Sequence, residues 1–202
     1  MATQKGNLIV IYGANNLGKT TQAKMLVESL IIKFGVNAEY LKYAVYNLEP
    51  SGPMINNYLK EDNKYDLSAR EFQMLHVLNR TQYEPTLLHK LEKGTWIVAE
   101  DYIATGIAWG MAYDIDKKFL YNINSHLKVE DLGILFEGEP FPEDLDKNNI
   151  HEADPAMLAK VTDNFKDISK DYAWHTLNAN QTKEEVQENL LNIVKSKLTY
   201  LE

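Results

Sequence analysis

The 202-residue chain contains no cysteine, which excludes disulfides and thiolate metal sites. Arginine is almost as scarce. Of the 21 basic residues only Arg70 and Arg80 are arginine, and arginine is the usual bidentate clamp for phosphate. No apolar run reaches the roughly 18 residues that a membrane span needs, so no membrane partner is expected. A net charge of −8 argues against non-specific nucleic-acid binding, which depends on a basic face. The first residues, Met1-Ala-Thr-Gln-Lys-Gly, run straight into an apolar segment and leave no room for a signal peptide. Together with the missing cysteine this sets the expectation of a cytoplasmic protein. Repeats, low-complexity tracts and long linkers are also lacking. With 45% hydrophobic and 25% charged residues, the expectation is one globular domain over 1–202.

What is present begins at Leu8–Tyr12, an apolar run that reads as a buried strand. It feeds directly into Gly13-x-x-x-x-Gly18-Lys19-Thr20, the pattern of a phosphate-binding P-loop. Gly13 and Gly18 let the backbone curl so that successive N–H groups face phosphate oxygens. Lys19 places a point charge at the outer phosphates, and the Thr20 hydroxyl suits Mg²⁺. The helix that follows adds its positive N-terminus. A nucleoside triphosphate is therefore the expected ligand.

The rest of the chain alternates. A helix is expected over Thr20–Phe34 with Gly35 as its stop, then a strand over Ala38–Tyr43. The turn-rich segment 47–53 leads to a short helix, Met54–Lys60. Ser68-x-x-Glu71 is a capping box opening a long helix over about 69–92, bent at Pro85. A strand over Thr95–Ala99, one helical stretch over roughly 103–126 and a strand over Asp131–Glu137 come next. Residues 138–153 lack periodicity and read as a lid. Asp154-Pro155 caps a helix to about Asp171, Trp174–Ala179 is a fifth strand, and Thr182-x-x-Glu185 opens the last helix. Such alternation predicts a three-layer P-loop α/β fold, a five-stranded parallel sheet flanked by helices with ligands at the carboxyl ends of its strands.

P-loop proteins of this size include small-molecule kinases, GTP switches and ATPase modules; the acids Glu100-Asp101 closing a strand suit the last of these. Four stretches, however, resemble thymidylate kinases. Gly13…Lys19-Thr-Thr-Gln22 is similar to the family P-loop, and Leu48-Glu49-Pro50-Ser-Gly52 to its Arg-Glu-Pro-Gly-Gly loop. Leu75-His-Val-Leu-Asn79-Arg80 resembles its thymine-recognition segment, and Glu100-Asp-Tyr102-Ile-Ala-Thr-Gly-Ile-Ala-Trp109-Gly110 its Asp-Arg-Tyr run. The resemblance implies transfer of the ATP γ-phosphate to dTMP, giving dTDP and ADP, with Mg²⁺ and in a homodimer. It implies ATP binding by Gly13, Asn16, Gly18, Lys19, Thr20 and Thr21, and catalysis by Lys19, Glu100 and Asp101. Metal binding would fall to Thr20, Glu100 and Asp101. Acceptor binding would fall to Asn15, Glu49, Pro50, His76, Asn79, Arg80, Tyr102 and Trp109. His76 stands where the family stacks a phenylalanine on the base; an imidazole titrating near pH ~6.5 would make that contact pH-dependent.

The departures concern charge. Asp101 replaces the arginine of the Asp-Arg pair, Leu48 replaces the arginine of the Arg-Glu-Pro loop, and Asn15-Asn16 replaces an Asp-Arg of one branch. Segment 138–153 has one basic side chain, Lys147, besides His151. Either Mg²⁺ (with an extra ion on the doubled acid) and lysines such as Lys19, Lys42 and Lys147 replace these arginines, or turnover is poor. The alternatives are a kinase for another nucleoside monophosphate or a nucleoside, and a non-catalytic nucleotide-binding protein.

Overall fold

The computed structural model describes residues 5–60, 63–141 and 154–198. Five parallel strands, β1 (Leu8–Tyr12), β2 (Ala38–Lys42), β3 (Trp96–Glu100), β4 (Leu132–Glu137) and β5 (His175–Asn178), form one sheet in the order β2-β3-β1-β4-β5. β1 lies between two neighbours and under helices on both faces, which is why all five of its residues are apolar and buried. Its side chains divide between two cores. Leu8, Val10 and Tyr12 pack on one face, and Ile9 and Ile11 on the other.

Register places the chemistry. Lys42 pairs with Glu100 across β2 and β3, and Glu100 pairs with Ile11 across β3 and β1. The ends of three strands thus meet where the P-loop begins.

Helix α1 (Lys19–Phe34) starts after Gly18 at φ 72° and stops at Gly35 at φ 64°, where the Val36 N–H returns to the Leu30 carbonyl. α2 (Ser51–Lys60) begins three residues before the expected Met54, because Gly52 and Pro53 are accommodated in its first turn. α3 (Ala69–Glu92) opens with the Ser68/Glu71 capping box and continues unbroken through Pro85.

The single helix expected over 103–126 is two, α4 (Ile103–Ala112) and α5 (Lys117–Asn124). Asp114 takes a left-handed φ of 58°, and the Asp116 side chain caps α5 by accepting the Phe119 N–H at 2.8 Å. The break lets Leu120 fold back onto Gly110, where a β-carbon would lie 2.6 Å from Leu120 Cδ2. The alternation of apolar residues on both sides of this turn concealed it. α6 (Pro155–Tyr172), capped by Asp154, and α7 (Lys183–Leu198), opened by the Thr182/Glu185 box, complete the layers. Of the expected lid, residues 142–153 and with them Lys147 lie outside the described residues.

Candidate active site

A cavity of about 410 Å³ opens at the carboxyl ends of β1, β2 and β3. One end of it is the P-loop. Gly13 has φ 138°, and a β-carbon there would come within 2.6 Å of the Phe136 carbonyl, so the turn admits only glycine. The Lys19 ammonium is 5% exposed and donates to the carbonyls of Gly13 and Ala14 at 2.9 and 2.7 Å. Asp101 Oδ1 lies 3.9 Å from it. The loop holds its own lysine in place, beside the amides that would face a phosphate.

Glu100 is the polar centre of the site. It is 4% exposed, and its carboxylate accepts three side-chain hydrogen bonds. Thr20 Oγ1 and the Tyr40 hydroxyl reach Oε2 at 2.7 and 2.5 Å, and Lys42 Nζ reaches Oε1 at 2.9 Å. Tyr40 and Lys42 are two apart on β2 and so share one face of the strand. Burial works to raise the Glu100 pKa, but Lys42, the Tyr40 hydroxyl and Lys19 outweigh it, and the net direction is down. For Lys42 burial works downward, and the charge and hydrogen bond of Glu100 turn the net direction up.

Asp101 behaves oppositely. Burial pushes its pKa up, the Lys19 charge only partly offsets that, and Glu100 adds to it. Its backbone is left-handed at φ 61°, its N–H donates to the Ile11 carbonyl, and Thr105 Oγ1 donates to Oδ1 at 3.1 Å.

The opposite end is walled by α3 and α4. His76 meets Phe72 edge-on, with ring centroids 4.6 Å apart. Arg80 is 3% exposed and faces no carboxylate in its hydrogen bonds; Nη1 donates to the Tyr102 carbonyl at 3.1 Å. Burial pulls its pKa down to about 10, only partly offset by Tyr102, Tyr43 and Tyr12, so the guanidinium stays charged at neutral pH. Tyr102 packs on Tyr43 with centroids 4.8 Å apart, and Trp109 closes the wall. The other arginine, Arg70, lies over the Phe119 ring at 3.8 Å and takes no part in the cavity.

Twelve of the sixteen side chains or loop residues expected at the site line this cavity: Asn15, Asn16, Gly18, Lys19, Thr20, Thr21, His76, Arg80, Glu100, Asp101, Tyr102 and Trp109. Gly13 contributes its carbonyl to Lys19 instead. Asn79 is fully buried as a brace. It accepts the Val45 N–H, and its amide donates to the Val45 carbonyl and Ser51 Oγ. Glu49 and Pro50 stand outside the lining; the Glu49 carbonyl accepts from Gln82. Tyr40, Gln73, Thr105 and Gly106 escaped the sequence reading. Gln73, His76 and Arg80 follow the i, i+3, i+7 spacing of one helix face, a signal that was present.

One string has the spelling of the guanine-reading Asn-Lys-x-Asp of GTP switches, Asn63-Lys64-Tyr65-Asp66. It is a turn between α2 and α3. The Asn63 side chain bonds the backbone of Leu67 twice at 2.9 Å, and none of the four residues lines the cavity.

The cavity has the size and mixed lining of a nucleotide site. A family model for thymidylate kinase matches residues 11–190. The chain is 26% identical to the thymidylate kinase of Danio rerio over 96% of this chain and 92% of that one. Against the thymidylate kinase of Homo sapiens it is 33% identical over 109 residues, 54% of this chain and 50% of that one. The solved thymidylate kinase of Candida albicans superposes with a TM-score of 0.78 at 24% identity, covering 96% of this chain and 92% of that one. That of Ehrlichia chaffeensis gives 0.73 at 17%, covering 94% and 99%, so the fold is shared well beyond the reach of sequence. A loop built for phosphates, a strand-end carboxylate beside it and a match that runs through both lead to one conclusion: the chain belongs to the thymidylate kinase family, ATP-dependent nucleoside monophosphate kinases.

Proposed function

We propose that this cavity transfers the γ-phosphate of ATP to dTMP, giving dTDP and ADP, within a single domain whose lid comprises residues 138–153. The observation that carries the reading is the pairing of a P-loop lysine at one end with a buried, charged Arg80 at the other. Lys19 leaves the Gly13 and Ala14 carbonyls for the outer phosphates of ATP, whose remaining oxygens meet the loop amides from Asn15 to Thr21. Arg80 and His76 hold the acceptor base, and Tyr102 and Trp109 enclose the sugar. The acceptor phosphate then lies toward Lys42, Glu100 and Asp101. An oxygen of that phosphate attacks the γ-phosphorus in line, and the bond to the β–γ bridging oxygen breaks.

Thr20 Oγ1 and the Glu100 carboxylate fit Mg²⁺, being hard oxygen donors 2.7 Å apart at the mouth of the P-loop. Among the described residues there is no cluster of three or more His, Cys, Asp or Glu that would hold a metal alone. The ion would therefore take most of its ligands from phosphate and water, and when bound it would neutralise phosphate charge. Asp101, held by Thr105, is available to widen that donor set. Assembly as a homodimer is part of the proposal.

A coupled ADP-release assay with dTMP, dUMP, dCMP, dGMP and thymidine tests the reading. The expected result is the fastest turnover with dTMP. The presence of Asp101 where a cation would serve an acceptor phosphate favours the neutral nucleoside as second reading, and faster turnover of thymidine than of dTMP would put that reading first.

A further inference from the structure

Several buried polar atoms at the acceptor end make no hydrogen bond, and two of the side chains that carry them line the cavity from α3. Arg80 spends Nη1 on the Tyr102 carbonyl, but its Nε and Nη2 make no hydrogen bond. Gln73 is 2% exposed, and its Oε1 is also without a partner. Native interiors seldom leave such groups unmatched, because each unmade bond retains the full cost of desolvation. Gln73 and Arg80 are seven residues apart on α3, two turns on the same face, and both line the cavity.

Gly106 on α4 brings them together. A β-carbon at this position would lie 2.9 Å from Arg80 Nη2 and 3.1 Å from Gln73 Oε1. Both contacts are tighter than a real side chain tolerates without the neighbours moving. The glycine therefore keeps open the space where a donor and an acceptor stand side by side.

A ligand that satisfies both must carry an acceptor next to a donor on one rigid edge. The imide edge of thymine has this form: O4 accepts, and the adjacent N3–H donates. We propose that Gln73 is a specificity-determining residue, its Oε1 accepting the N3–H of the acceptor base while Arg80 Nη2 donates to O4, with Gly106 making room for both. The proposal rests on the dTMP kinase reading above and adds to it the group that reads N3.

The pairing sets the order of acceptors. Cytosine presents the opposite edge, an amino donor at C4 and an acceptor at N3. Gln73 can rotate its amide to meet N3, but a guanidinium has no acceptor to offer the amino group, so one conflict survives. Sites that bury a matched polar edge reject the mismatched one steeply, since the protein groups are left unpaired. Uracil has the same imide edge as thymine, so this pair accepts dUMP equally well.

The test crosses a protein change with a ligand change. kcat/KM for ADP release is measured on dTMP, N3-methyl-dTMP and dCMP, for the wild type and for Gln73→Ala, which leaves space for the added methyl. The wild type is expected to prefer dTMP over N3-methyl-dTMP by about 10–100-fold, the range of one lost base-reading pair. Gln73→Ala is expected to lose about that factor on dTMP and to discriminate less than about 3-fold between dTMP and its N3-methyl form. A merely structural Gln73 would lower all three substrates together and keep the wild-type ratios, and that result overturns the proposal. Gly106→Ala, which keeps Gln73, provides the second variant. Its β-carbon displaces both groups, so its dTMP preference is expected to fall as well, and an unchanged ratio counts against the proposal in the same way. A wild type that turns over no pyrimidine monophosphate defeats the dTMP kinase reading itself. A wild type active on dTMP with ratios unmoved by either variant defeats only the role of Gln73.

Discussion

The two ends of the cavity are built from different materials. At the donor end one lysine is anchored by the loop's own carbonyls, 2.9 and 2.7 Å away, among backbone amides that need no side chain. At the acceptor end the cation is an arginine without a carboxylate, and the neighbouring strand end offers Glu100 and Asp101. Backbone recognition is insensitive to sequence drift outside the glycines. Side-chain recognition is not, and it is here that the chain departs from its family. With Arg70 placed over Phe119 and Arg80 enclosed by Tyr102 and Gln73, neither arginine is left for the acceptor phosphate. Lys42, held half-exposed against Glu100 at the cavity wall, is the cation nearest in kind.

The sharpest way to break this contrast is Lys19→Ala. Because positioning and charge neutralisation carry nearly all of phosphoryl transfer, kcat is expected to fall by more than about 10³-fold. Steady-state ADP release with saturating dTMP measures it. A variant retaining a tenth of wild-type activity would mean that a cation at the other end shares the donor's charge, and the two ends would no longer be distinct.

Arg80→Met probes the acceptor end and should move two quantities in opposite directions. dTMP kcat/KM is expected to fall about 10²–10³-fold with the loss of a charged hydrogen bond to the base. Stability is expected to rise by about 1–3 kcal/mol, because a buried cation with two unsatisfied donors is replaced by an apolar chain of similar length. For a chain of this size that is about 2–12 °C in Tm by differential scanning calorimetry. A lower Tm would show that the guanidinium stabilises the empty fold, and its role as a preorganised ligand group would fail.

The same contrast decides how much was legible in the sequence. Strand β1, the P-loop, the caps at Ser68, Asp154 and Thr182 and the stop at Gly35 were all readable, because local patterns of apolar spacing and capping side chains dictate them. The break between α4 and α5 was not, since Asp114 and Asp116 act through a left-handed turn selected by the close contact of Leu120 with Gly110. At the site, Lys19 and Thr20 follow from a contiguous motif. Tyr40, Lys42 and Gln73 depend on strand register and helix face, and their partners lie 58 or 60 residues away for the first two. Asn79 shows the opposite failure: a residue in a recognition segment whose side chain is wholly used to hold the loop at Val45 and Ser51.

Asp101→Arg sharpens the question of what neutralises the acceptor phosphate. If Asp101 helps Glu100 bind a second Mg²⁺, the variant loses about tenfold in kcat and its Mg²⁺ dependence loses any requirement beyond the ATP-bound ion. Initial rates over a Mg²⁺ titration at fixed ATP measure both. Higher activity in the variant would show that Asp101 is only a repulsive neighbour, and the extra-metal role would be wrong.

The smallest expected effect separates the two adjacent acids themselves. Glu100 has a pKa below its ordinary value, so it adds stability that is present above about pH 4.5 and is lost as the pH falls through its folded pKa. Asp101 has a pKa above its ordinary value of 3.8, so it imposes a cost at neutral pH that disappears on acidification as the folded state takes up a proton first. In the wild type the two slopes oppose each other across the acid limb. Asp101→Asn, which tolerates the left-handed backbone at φ 61°, removes one of them. The variant is expected to be more stable than the wild type at pH 7 and to lose stability more steeply between about pH 5 and pH 3, by roughly 1 kcal/mol over that range. Urea unfolding at a series of pH values measures both slopes. Parallel pH profiles for the two proteins would mean that Asp101 titrates in the fold as it does in the open chain, and the opposition between the neighbouring carboxylates would not exist.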